Sequence, residues 1–401
     1  MKKFLLASAL TLSLAFAQYP IGGSFLNFER TLAEGGLAYE LDSMKAVNAT
    51  VIVVVAIGQF VGPDAGTICS ASDISGLSYK SSRFGVGTEK LGLLMSLAET
   101  RDMQVFIGSL QTQGAWDSPR LRACNKAVNE ELYNRYLGTT SHAGFYYAQE
   151  IFLNSFLWYN DITSVKNALS LFIADLAQVA PGKLVLAAPY FKKDIFDGTS
   201  GLTPHFAGVA IRWLMDQTGL KLVAPQDGVG SQQGAPPLSE TAAYYNSMKS
   251  VLNSGETLWS VLETFEFSSS VNQDKYPPAG MARIAQQVTA EQSQVSRILT
   301  WMFGRDMSPQ STYYPIEASQ LLMDYKTQYG GTVRLQRIPF TYLYGLGHAP
   351  SSSYSDSSFS LLSNRVGGGH GATNGEWVGF SDVEDSNVAT VTLIFGQNRN
   401  V

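Results

Sequence analysis

Carboxylates, amides and aromatic side chains recur at the ends of short apolar runs in this sequence. Tyr146-Tyr147-Ala148-Gln149-Glu150 ends one run, Pro225-Gln226-Asp227-Gly228-Val229-Gly230 a second, and Trp259-Ser260-Val261-Leu262-Glu263-Thr264-Phe265-Glu266 a third. Others end in Asn27-Phe28-Glu29-Arg30, Pro189-Tyr190-Phe191 and Trp301-Met302-Phe303-Gly304-Arg305-Asp306. Two facing carboxyl groups can cleave a glycosidic bond. One protonates the leaving oxygen; the other attacks the sugar carbon, or activates water to do so. Glu150 and Glu263 form the candidate pair, with Glu150 as general acid/base and Glu263 as nucleophile. An acid held protonated for this task needs a raised pKa, and that expectation falls on Glu150. Asn27, Tyr146, Tyr190, Gln226, Asp227, Trp259, Trp301 and Arg305 are candidate substrate contacts. Aromatic rings stack on the apolar faces of sugars, while amides and Arg hydrogen-bond the hydroxyls. Simpler roles compete: a strand-end Glu can be an ion-pair partner, Asp227-Gly228 can be a tight turn, Glu266 can stand in for Glu263, and Trp259 and Trp301 can be core. Asp227 can also tune a neighbour's pKa.

Other chemistries find little support. The four His (His142, His205, His348 and His370) are scattered, and neither His-Glu-x-x-His nor Cys-x-x-Cys occurs, so no metal is expected. There is no Gly-x-Ser-x-Gly elbow for a serine nucleophile. Gly85-Val86-Gly87 lacks the third glycine of a dinucleotide-binding loop, and no cofactor is implied.

Apolar runs at Gly23–Phe28, Thr50–Gly58, Gln104–Leu110, Gly144–Phe152, Leu184–Phe191, Lys221–Gly230, Leu258–Phe267 and Leu299–Phe303 read as strands. Val51-Ile52-Val53-Val54-Val55 is apolar throughout, as a strand buried on both faces requires. The segments between have helical spacing. Leu91, Leu94, Met95 and Ala98 share a face, as do Val165, Ala168, Leu169, Phe172 and Leu176. Pro204 opens a helix with Phe206, Val209, Ala210 and Trp213 on one side. Ala279 to Leu299 reads as a helix carrying Ile284, Val288, Val295 and Ile298. Repeated strand–helix units predict an α/β fold, a (β/α)8 TIM barrel, with a doubly wound open sheet as the competing solution. In a barrel the strand ends named above converge on one rim, and Glu150 and Glu263, from strands four and seven, point toward its centre.

After about residue 331 the pattern becomes all-β. Arg334 to Tyr344 and Ala389 to Phe395 alternate like strands, separated by Ser- and Gly-rich turns. The remaining length is short for a β-sandwich of ~100 residues, so a truncated jelly-roll-like segment is expected at 331–401. The barrel is assigned 18–330 and a cleavable signal peptide 1–17. Lys2 and Lys3, an apolar run to Phe16 and the Ala15-Phe16-Ala17 step predict cleavage after Ala17 and a secreted, periplasmic or cell-surface location. No stretch is long and apolar enough to span a bilayer. Export makes a Cys69–Cys124 disulfide possible, with two buried thiols as the alternative. The Asn48-Ala49-Thr50 sequon is usable only in a eukaryotic host. With 28 basic and 33 acidic residues the charge is −5, which gives no basis for nucleic-acid binding and fits a neutral glycan. Oligomeric state is not legible.

The order of these runs resembles one family. Gly23-Ser24-Phe25-Leu26-Asn27-Phe28, Gly144-Phe145-Tyr146-Tyr147-Ala148-Gln149-Glu150-Ile151, Ala188-Pro189-Tyr190-Phe191, Ala224-Pro225-Gln226-Asp227-Gly228-Val229-Gly230 and Leu258-Trp259-Ser260-Val261-Leu262-Glu263-Thr264-Phe265 are similar to its first, fourth, fifth, sixth and seventh strand motifs. It is the TIM-barrel glycoside hydrolase group catalogued as domain of unknown function four-four-three-four, over about residues 21 to 310. The resemblance implies a secreted sugar-cleaving or sugar-binding barrel. Glu150 and Glu263 also stand where the large retaining-glycosidase clan keeps its acid/base and nucleophile, although that clan has Asn where Gln149 stands. The tail resembles the start of a galactose-binding-like, discoidin-type β-sandwich in Tyr354-Ser355-Asp356, Trp377-Val378-Gly379-Phe380 and Thr390-Val391-Thr392-Leu393-Ile394-Phe395-Gly396. The competing function is a non-catalytic carbohydrate-binding or cell-surface protein on the same scaffold. A barrel lyase or isomerase, which would need a metal or phosphate site, is a third class.

Overall fold

The computed structural model describes residues 19–27, 34–84, 89–113, 116–157, 162–193, 201–231, 234–269, 271 and 275–330. The chain divides into two units, Met1–Thr332 and Val333–Val401, and all described residues lie in the first. The expected signal peptide and the C-terminal β-segment therefore lie outside the described residues.

Eight parallel strands close into a barrel. They are β1 (Ile21–Leu26), β2 (Val51–Val54), β3 (Gln104–Gly108), β4 (His142–Tyr147), β5 (Leu184–Ala187), β6 (Leu222–Val223), β7 and β8 (Ile298–Thr300). Strand β7 comes in two pieces, Thr257–Leu258 and Ser260–Leu262, interrupted at Trp259. The first piece pairs with β6 and the second with β8, so the two ends of the nine-segment sheet are halves of one strand and the ring is closed. This decides for the TIM barrel over the open sheet.

Alternation along each strand builds two cores. Val51 and Val53 point inward with Phe25, Phe106, Tyr146, Leu186, Leu222, Val261 and Leu299. Ile52 and Val54 point outward with Ile107, Phe145 and Leu262 against the helices. Both faces are dry, which is why the run 51–54 has no polar residue.

The helices are α1 (Glu34–Lys45), α2 (Lys90–Glu99), α3 (Pro119–Arg135), α4 (Ile162–Val179), α5 (Pro204–Thr218), α6 (Leu238–Ser250), α7 (Met281–Glu291), the short α8 (Phe303–Asp306) and α9 (Pro315–Gly330). Helix α2 buries the expected Leu91, Leu94, Met95 and Ala98, and α4 buries its expected face. Thr203 caps α5 by accepting from the Phe206 N–H, with Pro204 at the first helical position. The buried face of α5 differs from expectation. Ala207, Ala210, Ile211, Leu214 and Met215 are inside, while Phe206 and Val209 are each 47% exposed. The aliphatic 207/211/214/215 stripe is broader than the aromatic one and takes the sheet side. Helix α7 ends at Glu291, so Val295 falls beyond it and Ile298 belongs to β8.

The strands are also shorter than the apolar runs. The run 221–230 pairs regularly only at Leu222–Val223, because Pro225 has no N–H and Gly228 turns the chain at φ +69°. Beyond the strand ends the loops build a folded rim. A three-stranded sheet of Gly58–Phe60, Ile74–Ser75 and Leu110–Gln111 stands on the loops after β2 and β3. Its long loop is tied to α3 by a disulfide between Cys69 and Cys124.

Candidate active site

The rim after β6 and β7 is built on buried carboxyl groups. Asp227, fully buried, uses Oδ1 to accept the main-chain N–H groups of Val229 and Glu263, each at 3.2 Å. Its Oδ2 accepts from Gln287 Nε2. The carboxylate thus holds the turn at Gly228 and the end of β7 together. That leaves no face for a sugar, so Asp227 is not the substrate contact expected of it; of its expected roles, it retains the tuning of a neighbour. The turn reading of Asp227-Gly228 holds as well, since the same carboxylate closes the turn.

Glu263 stands at the end of β7 with 7% of its surface exposed. Its Oε2 accepts the Ser231 N–H at 2.7 Å, and the Gly230 N–H also points to it. The loop fits closely: a Cβ on Gly230 would lie 2.6 Å from Phe265 O and 2.8 Å from Glu263 Cβ. Burial, and then the charge of Asp227, push the Glu263 carboxyl up to about 8. Glu263, the expected nucleophile, is thus a raised carboxyl at this rim. Glu150 is exposed, because the chain leaves the barrel wall after Tyr147.

Helix α7 presents a polar stripe to this cluster that the sequence reading passed over. Arg283, Gln287 and Glu291 recur every fourth residue beside the buried Ile284 and Val288. Gln287 and Glu291 are fully buried. Arg283 donates to the main-chain oxygens of Glu263 and Phe265, and its Nε lies 3.1 Å from Glu266 Oε2. Glu266, the alternative acid, is thus an ion-pair partner. Three polar residues at helical spacing on an otherwise apolar face were the available signal.

Across the ring, Glu150 faces two phenols. Burial and then its charge raise Tyr146, and likewise push Tyr190 up to about 12. Tyr190 stacks on Phe152 at 4.7 Å. Tyr146 is 3% exposed and meets Phe25 edge-on at 5.2 Å; Phe25 in turn touches Trp301 at 5.1 Å. Tyr146 is accordingly a floor beneath Glu150 more than an open contact. Gln149 turns away: Nε2 donates to Leu110 O at 2.7 Å and Oε1 accepts the Thr112 N–H at 3.2 Å. Its amide ties the end of β4 to the small sheet.

The remaining expected contacts divide. Trp301 and Asn27 are partly exposed at the ends of β8 and β1, and Met302 after Trp301 takes φ +97°, unusual for a residue with a side chain. Gln226 is 7% exposed and donates to Ala188 O at 3.1 Å. Arg305 is held by Asp306 through Nε and Nη2 and lies over the Phe265 ring, so most of its fork is already used. Thr264 also donates to Asp306, at 2.8 Å. Trp259 is not at the rim. It lies at the break within β7, edge-on to Phe106 and beneath Arg297, whose Nη1 donates to Gly22 O at the start of β1. Trp259 shares the inward face of β7 with Val261 and packs on the inner core.

Among the described residues, one His/Cys/Asp/Glu group is tight enough for a metal, Cys69, Asp73 and Cys124. Both sulfurs are consumed in the disulfide. Among the same residues no helix is long and apolar enough to cross a membrane.

A closed (β/α)8 ring with carboxyl and aromatic side chains at the C-terminal ends of its strands defines the class, a TIM-barrel α/β protein. The chain belongs to the family described as Domain of unknown function (DUF4434), whose model matches residues 37–313. No curated protein matches the sequence. Among solved structures, a Bacteroides thetaiotaomicron protein described as a "putative alpha-L-fucosidase" superposes with a TM-score of 0.63 at 16% identity, covering 82% of this chain and 99% of that one. An endo-1,4-beta-mannanase from Rhizomucor miehei superposes with a TM-score of 0.51 at 9% identity, covering 78% of this chain and 96% of that one. These likenesses concern the fold.

Proposed function

We propose that this protein is a glycoside hydrolase that cleaves a poly- or oligosaccharide at the C-terminal mouth of the barrel, with Glu150 and Glu263 as its carboxyl pair. The observation that carries the reading is Glu263: a strand-end carboxyl, held by two main-chain N–H groups at the edge of solvent and raised by its burial and then by the charge of Asp227. A carboxyl perturbed in this way marks a functional site, and as the nucleophile Glu263 must give up its proton before it attacks. Glu150 follows β4, separated from β7 by β5 and β6 on one side of the ring, and is exposed at the mouth where a sugar would enter. In this reading Glu150 protonates the leaving oxygen, and Glu263, once ionised, attacks the sugar carbon. Water then releases the sugar with Glu150 as base, and the anomer is retained. Retention requires the two carboxyls about 5 Å apart in the working complex. Trp301, Tyr190, Asn27 and Gln226 would line the sugar. The neighbours described as a fucosidase and a mannanase support a carbohydrate substrate. The disulfide supports an oxidising, extracytoplasmic location.

The test is release of product from a panel of oligosaccharides, with the anomer followed by proton NMR. Retention in the wild type is expected. Inversion would remove Glu263 as nucleophile. Binding without turnover, unaffected by Glu150→Gln and Glu263→Gln, would make the protein a carbohydrate-binding barrel instead.

A further inference from the structure

Glu291 closes α7 inside the wall of the barrel. Neither of its carboxyl oxygens is open to solvent or has an aligned hydrogen-bond partner, and the same holds for the neighbouring Ser260 hydroxyl. The group facing Glu291 from β6 is Asp227; Ser260 faces it from β7. Glu263 and the α6 residue Tyr245 complete the cluster. None of the other groups supplies a donor to Glu291. Tyr245 Oη donates to Pro225 O at 2.7 Å. Arg283, two turns earlier on the same stripe of α7, gives Nη2 to the main-chain oxygens of Glu263 and Phe265; its Nη1 has no partner among the described residues, and its charge acts on Asp227 and Glu263 and not on Glu291. Gln287 gives Nε2 to Asp227, and its own Oε1 is unpartnered.

Two ionised carboxyl groups side by side here would be acceptors with only the Ser260 hydroxyl as a donor toward Glu291, and neither oxygen of Glu291 is open to solvent. Such a pair keeps one proton between its members. We infer that Asp227 and Glu291 share one proton at neutral pH, and that Glu291 is thereby a positioning residue that sets the charge facing Glu263. Burial raises both members, and the charge of Asp227 adds to the rise of Glu291. With the proton in place, Glu263 faces one negative charge and can ionise at working pH. With it lost, Glu263 faces two and keeps its own proton. The consequence for turnover rests on the hydrolase reading; the shared proton does not.

The experiment is infrared difference spectroscopy of the full chain at pH 7 in water and deuterium oxide, reading the carbonyl stretch of protonated carboxyl groups. Wild type and Glu263→Gln are expected to show a buried protonated carboxyl, and Glu291→Gln or Asp227→Asn to lose about one equivalent of that signal. Survival of the full wild-type signal in both of the latter variants, with no equivalent lost, overturns the inference. If those two fail to fold, Glu263→Gln decides: no protonated carboxyl at pH 7 overturns it, and its presence supports it. No substrate is needed, so the signal together with no cleavage of any glycan would sink the hydrolase reading alone. Cleavage without the signal would sink the shared proton alone.

Discussion

Replacing Gly230 by Ala probes the fit between the loop after β6 and the carboxyl of Glu263. Gly230 does not take the positive φ that only glycine tolerates well, so alanine is conformationally allowed there. What alanine adds is a methyl group 2.6 Å from Phe265 O, 2.8 Å from Glu263 Cβ and 3.1 Å from Glu263 Oε2. The first two neighbours are fixed in the end of β7 and cannot swing away. Overpacking of this kind costs about 1–3 kcal/mol. Relief must come from moving the loop, which withdraws the Gly230 and Ser231 N–H groups from Glu263, or from moving Glu263. A displacement approaching 1 Å at a reacting group lowers turnover about 100-fold. The expected outcome is therefore a lower melting temperature together with a ~10- to 100-fold fall in kcat/KM on the best glycan of a panel, read by thermal unfolding and initial rates. Gly228→Ala is the comparator. It sits at φ +69° with no contact closer than 3.4 Å, so it should cost about 1–2 kcal/mol in stability and less in rate. Full activity in a destabilised Gly230→Ala would refute the role of Glu263's placement. An unaffected melting temperature would refute the close approach itself.

Three further outcomes are expected. The Cys69–Cys124 bridge spans 55 residues, so its removal by paired Ala substitutions should destabilise the barrel by about 4 kcal/mol on the loop-entropy model, measured by denaturant unfolding; no change would show that the loop is held by other contacts. The folded chain keeps protons on the Asp227–Glu263–Glu291 cluster that the unfolded chain releases above the ordinary carboxyl value, so stability should fall as pH rises toward about 8. His142, lowered to about 4 by burial and then by Lys183, works oppositely: its unfolded form takes protons below 6.5, so its penalty appears only as pH drops from there. The clean window is thus pH 6.5 to 8, where a flat stability curve would contradict the cluster. Finally, Trp301→Ala should raise KM, whereas Trp259→Ala should cost about 3 kcal/mol or more of stability with KM unchanged; the reverse pattern would restore Trp259 to the rim.

Much of the fold was legible because burial on both faces leaves an unmistakable trace. Val51 to Val54 has no polar residue, and a strand with helices outside and side chains inside cannot accommodate one. The helix faces of α2 and α4 followed from spacing alone. Helix α5 did not, because two apolar stripes compete on it and spacing cannot say which meets the sheet. Trp259 was misplaced for a related reason. A strand's end can be read from composition, but a break in its middle depends on pairing with two different neighbours, and only the closed ring shows it. At the site, the strand-end position of Glu263 was readable, yet its raised pKa was not, since that arises from burial and from Asp227 on another element. Asp227 likewise reads as a sugar contact until its three donors are seen.

The most direct measurement is the turnover of Glu150→Gln and Glu263→Gln on a glycan that the wild type cleaves, with both variants shown to be folded by circular dichroism. A carboxyl pair that carries out the reaction predicts a loss of several orders of magnitude in kcat for each variant, with substrate binding largely kept. Near-wild-type kcat in both variants would contradict the assignment of this site.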